Sequence, residues 1–241
     1  MMNDRSSAGA GLMLGVFIFA GLLGLGYQLA DGFLQAKALE RTVTVKGLSE
    51  REVPADIAIW PIKYNQADND LVALYAVIER HNGLIVDFLK QRGFGDEEIS
   101  VSVPAIVDRQ AQAYGGEQNA RFRYAAASSI TVYSTKVDQV RATMNDLVEL
   151  GKQGLAIAGQ DYEARPQFLF TGLNVLKPEM IEDATRNARE VATRFAKDSS
   201  STLGKIKTAS QGQFSIEDRD TNTPHIKKVR VVSTVEYYLS D

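Results

Sequence analysis

The sequence has no cysteine, and that absence excludes more than any single motif includes. Without thiols there are no disulfides, no thiolate metal sites, no cysteine nucleophile and no thiol-based redox sensing. Histidine is almost as scarce. Only His81 and His225 occur, far apart in the chain, so a histidine-rich transition-metal centre lacks its ligands. Reversible thioether chemistry is also poorly supplied: of five methionines, Met1 and Met2 open the chain, Met13 lies in an apolar run, and Met144 and Met180 fall in helical patterns. A basic excess is missing too. The net charge of −3 argues against a nucleic-acid backbone as partner. The short cluster Lys227, Lys228 and Arg230 sits among apolar residues and reads as a solvated strand face. Low-complexity tracts are absent, and 44% hydrophobic with 24% charged residues is the balance of a folded chain.

Charge is missing altogether from residues 8–30, whose apolar core is residues 12–23. A helix needs about 20 such residues to cross a hydrocarbon layer of about 30 Å. No other stretch compares, so the chain has one candidate span over residues 1–30, a connector over 31–40 and a domain over 41–241. The span has two readings. As an uncleaved anchor it exceeds the apolar region of about 7–15 residues found in secretory signals. As a signal peptide it would be cut at Ala36-Lys37-Ala38, well beyond the run. The length of the run favours the anchor, which makes membrane lipid a partner. Arg5 before the span and Lys37 and Arg41 after it leave the orientation undecided by positive-charge counting. Gly11 and Gly15 form a GxxxG, and Ala20 and Gly24 repeat the spacing. Such small residues let helices approach closely in lipid. Glycine is also common in membrane helices without any such role.

Beyond the span, strands and helices mix. Residues 42–46 alternate polar and apolar, the period of a half-buried strand, and residues 57–60 resume one before Pro61, which fits a central strand poorly. Leu71, Leu74, Tyr75, Ile78, Ile85, Phe88 and Leu89 build one face of a long helix from Asn69, with Gly93 as its stop. Ile99, Val101 and Val103 alternate as a strand. Residues 111–119, with Gly115-Gly116, read as a hairpin loop, and residues 121–135 as its return strand. Ser134 or Thr135 is placed to cap a second helix, with face Val137, Val140, Met144, Leu147 and Val148. Short strands follow at residues 155–157 and 168–170. Pro178 suits the first turn of a third helix, whose inner face is Ile181, Ala184, Ala188, Val191, Ala192 and Phe195. Two strands close the chain, over residues 206–216 and 228–239. This mixture predicts an α+β fold.

In order, several of these pieces resemble the SIMPL-domain family, formerly a domain of unknown function, which includes bacterial periplasmic immunogenic and oxidative-stress-defence proteins. The pieces are Thr42-Val43-Thr44-Val45-Lys46-Gly47 with the following Val53-Pro54-Ala55-Asp56-Ile57-Ala58, Leu89-Lys90-Gln91-Arg92-Gly93-Phe94 with Ile99-Ser100-Val101, the strand over residues 124–132, the Ala-rich helix over 182–206, and the closing residues 231–239. An inserted Ala55 splits the family's Pro-Asp pair, and residues 159–176 form a longer region than usual. The resemblance implies a domain of two small sheet-plus-helix halves, which here follows the candidate transmembrane helix read from the charge-free run. It also implies a place in the inner membrane, with the domain facing the periplasm or the cell exterior. Self-association into ring- or channel-like homo-oligomers follows from it as well. It brings no catalytic, cofactor or metal residues.

The expected function is therefore a membrane-anchored, self-associating scaffold or binding protein, not an enzyme, with an indirect part in stress defence. The alternative is a hydrolase-like enzyme built on dispersed carboxylates such as Asp96, Glu97, Glu98, Glu217, Asp218 and Asp220. Ser199-Ser200-Ser201 has no matched base. Candidate interface residues are Gly11 and Gly15 in the span and Tyr237, Tyr238 and Leu239 in the last strand. That strand is expected at a sheet edge, where unpaired backbone groups and aromatic side chains invite another copy. Both tyrosines packing inside their own domain is the competing reading.

Overall fold

The computed structural model describes residues 4–38, 41–111, 121–157 and 165–240, and within its first helix the surroundings of residues 13–34. That helix, α1 (Asp4–Ala38), carries the charge-free run. Its stretch Met13–Leu34 has the length and hydropathy of a membrane span, and none of it is buried against protein. The helix runs to Ala38, into the residues expected to form a connector. The loop expected at residues 111–119 lies, apart from its first residue, outside the described residues, as do residues 158–164.

The chain then forms β1 (Thr42–Pro54), β2 (Ile57–Asp68), α2 (Leu71–Gln91), a one-turn 3-10 helix (Asp96–Glu98), β3 (Ile99–Val101), β4 (Ala105–Asp108) and β5 (Tyr124–Ser134). After these come α3 (Val137–Asn145), α4 (Val148–Lys152), β6 (Gln167–Leu169), α5 (Leu173–Asp198), β7 (Thr202–Gln211), β8 (Ser215–Asp218) and β9 (Ile226–Ser240). Two sheets result, one ordered β1-β9-β7 with β8 also on β9, the other β3-β5-β2-β6 with β4 also on β5. The α+β fold read from the sequence is the fold observed. Two compact units divide the chain, one of residues 1–49, 179–214 and 231–241, the other of residues 50–178 and 215–230.

In the second unit β2 and β5 pair antiparallel along their length, from Ala58 opposite Ser134 to Asp68 opposite Tyr124. Every second residue of β2 faces inward, so Ala58, Trp60, Ile62 and Tyr64 meet Ile130 and Val132 of β5 in the core. Ile85, Phe88 and Leu89 of α2, Val140 of α3 and Leu150 of α4 close over them. Pro61 is tolerated because the β6 ladder ends at Ile59 and the next contact on that side is the isolated bridge of Tyr64 with Ile157. Asp70 caps α2 by accepting from the amides of Val72 (2.7 Å) and Ala73 (3.2 Å). Gly93 follows α2 at φ +85°, a conformation glycine adopts without strain.

Several expected boundaries move. Val103 ends no strand and is 91% exposed. The second helix breaks into α3 and α4 around Asp146 and Leu147. Its N-cap is Lys136, without a side-chain cap, so neither Ser134 nor Thr135 caps it; the Ser134 hydroxyl oxygen accepts from the Lys136 amide (3.0 Å) ahead of the first turn. Pro178 lies inside α5, not at its first turn. The helix begins earlier because Asp56 accepts from the Thr171 amide (2.9 and 2.8 Å), the Thr171 hydroxyl (2.8 Å) and the Gly172 amide (3.1 Å), which fastens the chain ahead of the first turn. The strand expected over residues 206–216 is two strands, β7 and β8.

In the first unit α5 buries a narrow strip of Met180, Ala184, Ala188, Ala192 and Ala196. Against it stand Val45 of β1 and Val235 and Tyr237 of β9. The approach is closest at Gly47, where a Cβ would collide with the Ala184 carbonyl and the Ala188 amide. Opposite Gly47 itself there is room only for the small Ala184 and Ala188. Phe195, expected on the inner face, is 55% exposed, and Val191 is exposed with it.

Candidate functional site

The expected interface residues scatter. β9 is the middle strand of its sheet, between β1 and β7, so its backbone groups are paired on both sides and the expectation of a terminal edge is corrected. Alternate β9 residues from Lys227 to Tyr237 face inward, and the pairing with β1 on one side and β7 on the other makes the strand central. Tyr237 is 0% exposed and packs within its own unit, its hydroxyl without a hydrogen-bond partner among the described residues. Tyr238 is half-buried under the Lys207 ammonium, 5.9 Å from its ring centre. The Leu239 amide donates to the Arg41 carbonyl (2.8 Å). In the span Gly15 has nothing within 4 Å, which leaves that face of α1 open, while the surroundings of Gly11 lie outside the described residues.

The basic cluster also separates. Lys227, expected on a solvated face, is only 7% exposed and pairs with Asp218 of β8. It follows the inward parity of Val229 and Val231, a register that charge alone hides. Lys228 points the other way and meets Glu50 at 2.7 Å.

The free edges belong to other strands. Among the described residues β7 pairs only with β9, and every residue from Lys205 to Gln211 is exposed. Its first half is blunted by two register shifts, between Leu203 and Ile206 and between Ile206 and Thr208, and by Lys205 and Lys207. Its second half, Thr208 to Gln211, pairs regularly with Glu236 to Ser233 and carries no charge. Sequence reading missed this edge because the exposed strand and β8 merge into one apparent strand.

The carboxylates do not converge. Glu98 takes the Ser134 hydroxyl (2.5 Å), the Lys136 ammonium (2.8 Å) and the Gly95 amide (2.9 Å). Burial pushes its carboxyl up, but these three donors outweigh burial and hold it at about 2. Asp96 pairs with Lys90 at 2.6 Å. Asp220 organises the turn before β9, accepting from the amides of Asn222 and Thr223 (2.8 Å each). The Thr223 hydroxyl, followed by these amides and Arg219, sets its carboxyl at about 2. Among the described residues no group of three or more acidic or histidine side chains is placed to hold a metal ion.

One cleft, of about 600 Å³ in the second unit, does gather polar side chains. One wall is the outer stripe of α3, where Asp138, Arg141, Ala142 and Asn145 share a face at helical spacing. The small Ala142 leaves the recess in the middle of that stripe. The other wall is the turn ahead of β9, with Asn222 and His225, and the floor holds Phe168 of β6 and Met144. His225 is fixed at both ends. Its carbonyl accepts from the Ala55 amide (2.8 Å), and its ring stands edge-on to Phe168 with centres 6.1 Å apart. Burial, then Arg141 across the cleft, pushes the imidazole below its usual pKa, so the ring is neutral near pH 7. In sequence these residues lie on α3, β6 and a turn near residue 222, and no spacing announces them.

A search among curated proteins gives no match. The model of the SIMPL family, described as a protein of unknown function (DUF541), matches residues 43–236, well over half of the chain. The chain belongs to the SIMPL family.

Proposed function

We propose that this protein is a membrane-anchored assembly module of the cell envelope, held in the inner membrane by α1 and joined to further copies of itself, with the domain over residues 41–241 on the non-cytoplasmic side. The observation that carries this reading is the free second half of β7, a regular, uncharged and fully exposed strand edge in the unit that follows the span. Such an edge offers unpaired N–H and C=O groups to another strand. Confinement to one membrane raises the effective concentration of neighbouring copies and favours closure of the contact. An antiparallel contact of β7 with β7 centred between Ala209 and Ser210 sets Lys207 opposite Gly212 and Lys205 opposite Phe214, so the lysines do not face one another. The resemblance to ring- and channel-forming relatives points the same way. The module has no catalytic role of its own in this reading, and a part in stress survival would run through envelope integrity, since the chain has no thiol to oxidise.

The cysteine-free chain makes the test clean. Ala209→Cys in otherwise unaltered protein, treated in isolated membranes with a short bis-maleimide, is expected to give a covalent dimer, whereas Asn222→Cys is not. Equal or absent cross-linking at the two positions would refute the seam.

A further inference from the structure

The cleft between α3 and the turn ahead of β9 is independent of any self-association. Its polar side chains are largely unspent. Among the described residues the ring nitrogens of His225 and the side-chain amides of Asn145 and Asn222 have no hydrogen-bond partner, and all three face one recess. Among the described residues the Arg141 guanidinium has one ion-pair partner, Asp138, at 3.1 Å on the same helix. Asp138 is 95% exposed on its side chain, and an i,i+3 pair this open to water contributes little, so it does not lock the guanidinium away from a competing anion. The turn is already organised for binding. Asp220 ties down Asn222 and Thr223, and Arg219 is clamped by Asp220 (3.2 Å) and Glu52 (3.4 Å). A ligand therefore meets a wall that does not need to be ordered first.

The chemistry of the recess is directional. One planar cation, Arg141, lies on the α3 wall, and its fork of donors matches a carboxylate. Two amides and a neutral imidazole provide further donors and acceptors without adding charge. The floor of Phe168 and Met144 is apolar, and His225 presents a flat ring above it. A pocket of a few hundred cubic ångströms with an apolar floor and a few convergent polar groups is the usual form of a small-molecule site. We infer that this cleft binds a small organic acid, with its carboxylate on Arg141 and its apolar body against His225 and Phe168. Asp138 competes for the same guanidinium and weakens the site.

The two histidines of the chain supply the readout. Full-length protein in nanodiscs, labelled on its histidine rings, should give two ring signals, and His225→Gln identifies the one at the cleft. His81, buried in α2, reports that the fold is intact. The probe is 3-phenylpropanoate, compared with the uncharged 3-phenylpropanamide. The acid is expected to move the His225 signal saturably and leave His81 in place, with the amide about tenfold weaker or more. Arg141→Gln should weaken the acid by a similar factor, while Asp138→Asn should tighten it. No saturable shift, an equal response to the amide, binding that survives Arg141→Gln, or binding weakened by Asp138→Asn each overturns the inference. Because none of these readouts depends on subunit number, its failure leaves the assembly proposal standing.

Discussion

Gly47 lies where β1 and α5 come closest, and replacing it with alanine adds one methyl group where none fits. Ordinary contact of a Cβ begins at 3.4 Å, and the Ala188 amide nitrogen would stand at 2.5 Å, so α5 must retreat by about 0.9 Å there and further at the Ala184 carbonyl. Neither neighbour is the tip of a flexible side chain. A helix backbone has to move, and it carries with it Ala184, Ala188 and Ala192, each at 0% exposure. A radial gap of this size forfeits about a quarter to a half of the dispersion well at each contact along the strip. Overpacking of a core costs about 1–3 kcal/mol, and the rigid obstacle sets Gly47→Ala near the upper end. For a chain of this length that lowers Tm by about 2–4 °C per kcal/mol, or about 6–12 °C in all. Thermal unfolding of the detergent-solubilised protein, followed by circular dichroism, measures it. The matched comparison is Gly83→Ala. Gly83 lies within α2, its Cβ would meet nothing within 4 Å, and the change should stabilise by up to about 1 kcal/mol. A Gly47→Ala protein that melts with its parent would refute the close seam.

Two further predictions concern pH, and one concerns the membrane. Glu98 has a folded pKa of about 2 against an ordinary 4.5, so the stability it contributes is present above about pH 4.5 and is lost as pH falls from there through 2. Urea midpoints across that range should depend less on pH in Glu98→Gln than in the parent. His81 is buried with its Nδ1 unpartnered among the described residues, its ring edge-on to Tyr64 at 5.6 Å, and burial followed by Arg80 pushes its pKa down. Below its ordinary value of 6.5 the unfolded chain takes a proton that the folded one refuses, so stability declines as pH falls through 6.5. His81→Gln should flatten that part of the curve, with His225 leaving a remainder. Alkaline carbonate should leave the full-length protein in the membrane pellet, whereas release of a soluble product beginning near residue 39 would mark α1 as a cleaved signal.

Much of the fold was legible because burial writes a period into the chain. The start of β2 over residues 57–60 and the α2 face of Leu74, Ile78, Ile85 and Leu89 can be read from spacing alone, whereas Pro61 hides the continuation of β2 through Ile62 and Tyr64. The failures have physical causes. Hydrophobicity places Phe195 on the inner face of α5, but the face that packs is the one whose Ala184 and Ala188 meet Gly47, and that contact comes from a residue well over a hundred positions away. β9 was expected at an edge because an apolar aromatic end looks like an interface. Its neighbour β1 comes from the far end of the domain sequence, and long-range pairing leaves no local mark. Lys227 illustrates the same limit, as its inward register is set by Val229 and Val231 and outvotes its charge. The cleft was invisible because its parts are separated by β6 and α5 in sequence, and each is an ordinary helix or turn residue taken alone.

Assembly of the anchored protein with itself is read from the mass of the full-length protein in mild detergent. Native mass spectrometry or sedimentation across micromolar concentrations is expected to give one closed oligomer. A version starting at Arg41 should be smaller or dissociate more readily, since it loses both the span and the confinement to one membrane. A strictly monomeric full-length protein over the whole range would contradict the account.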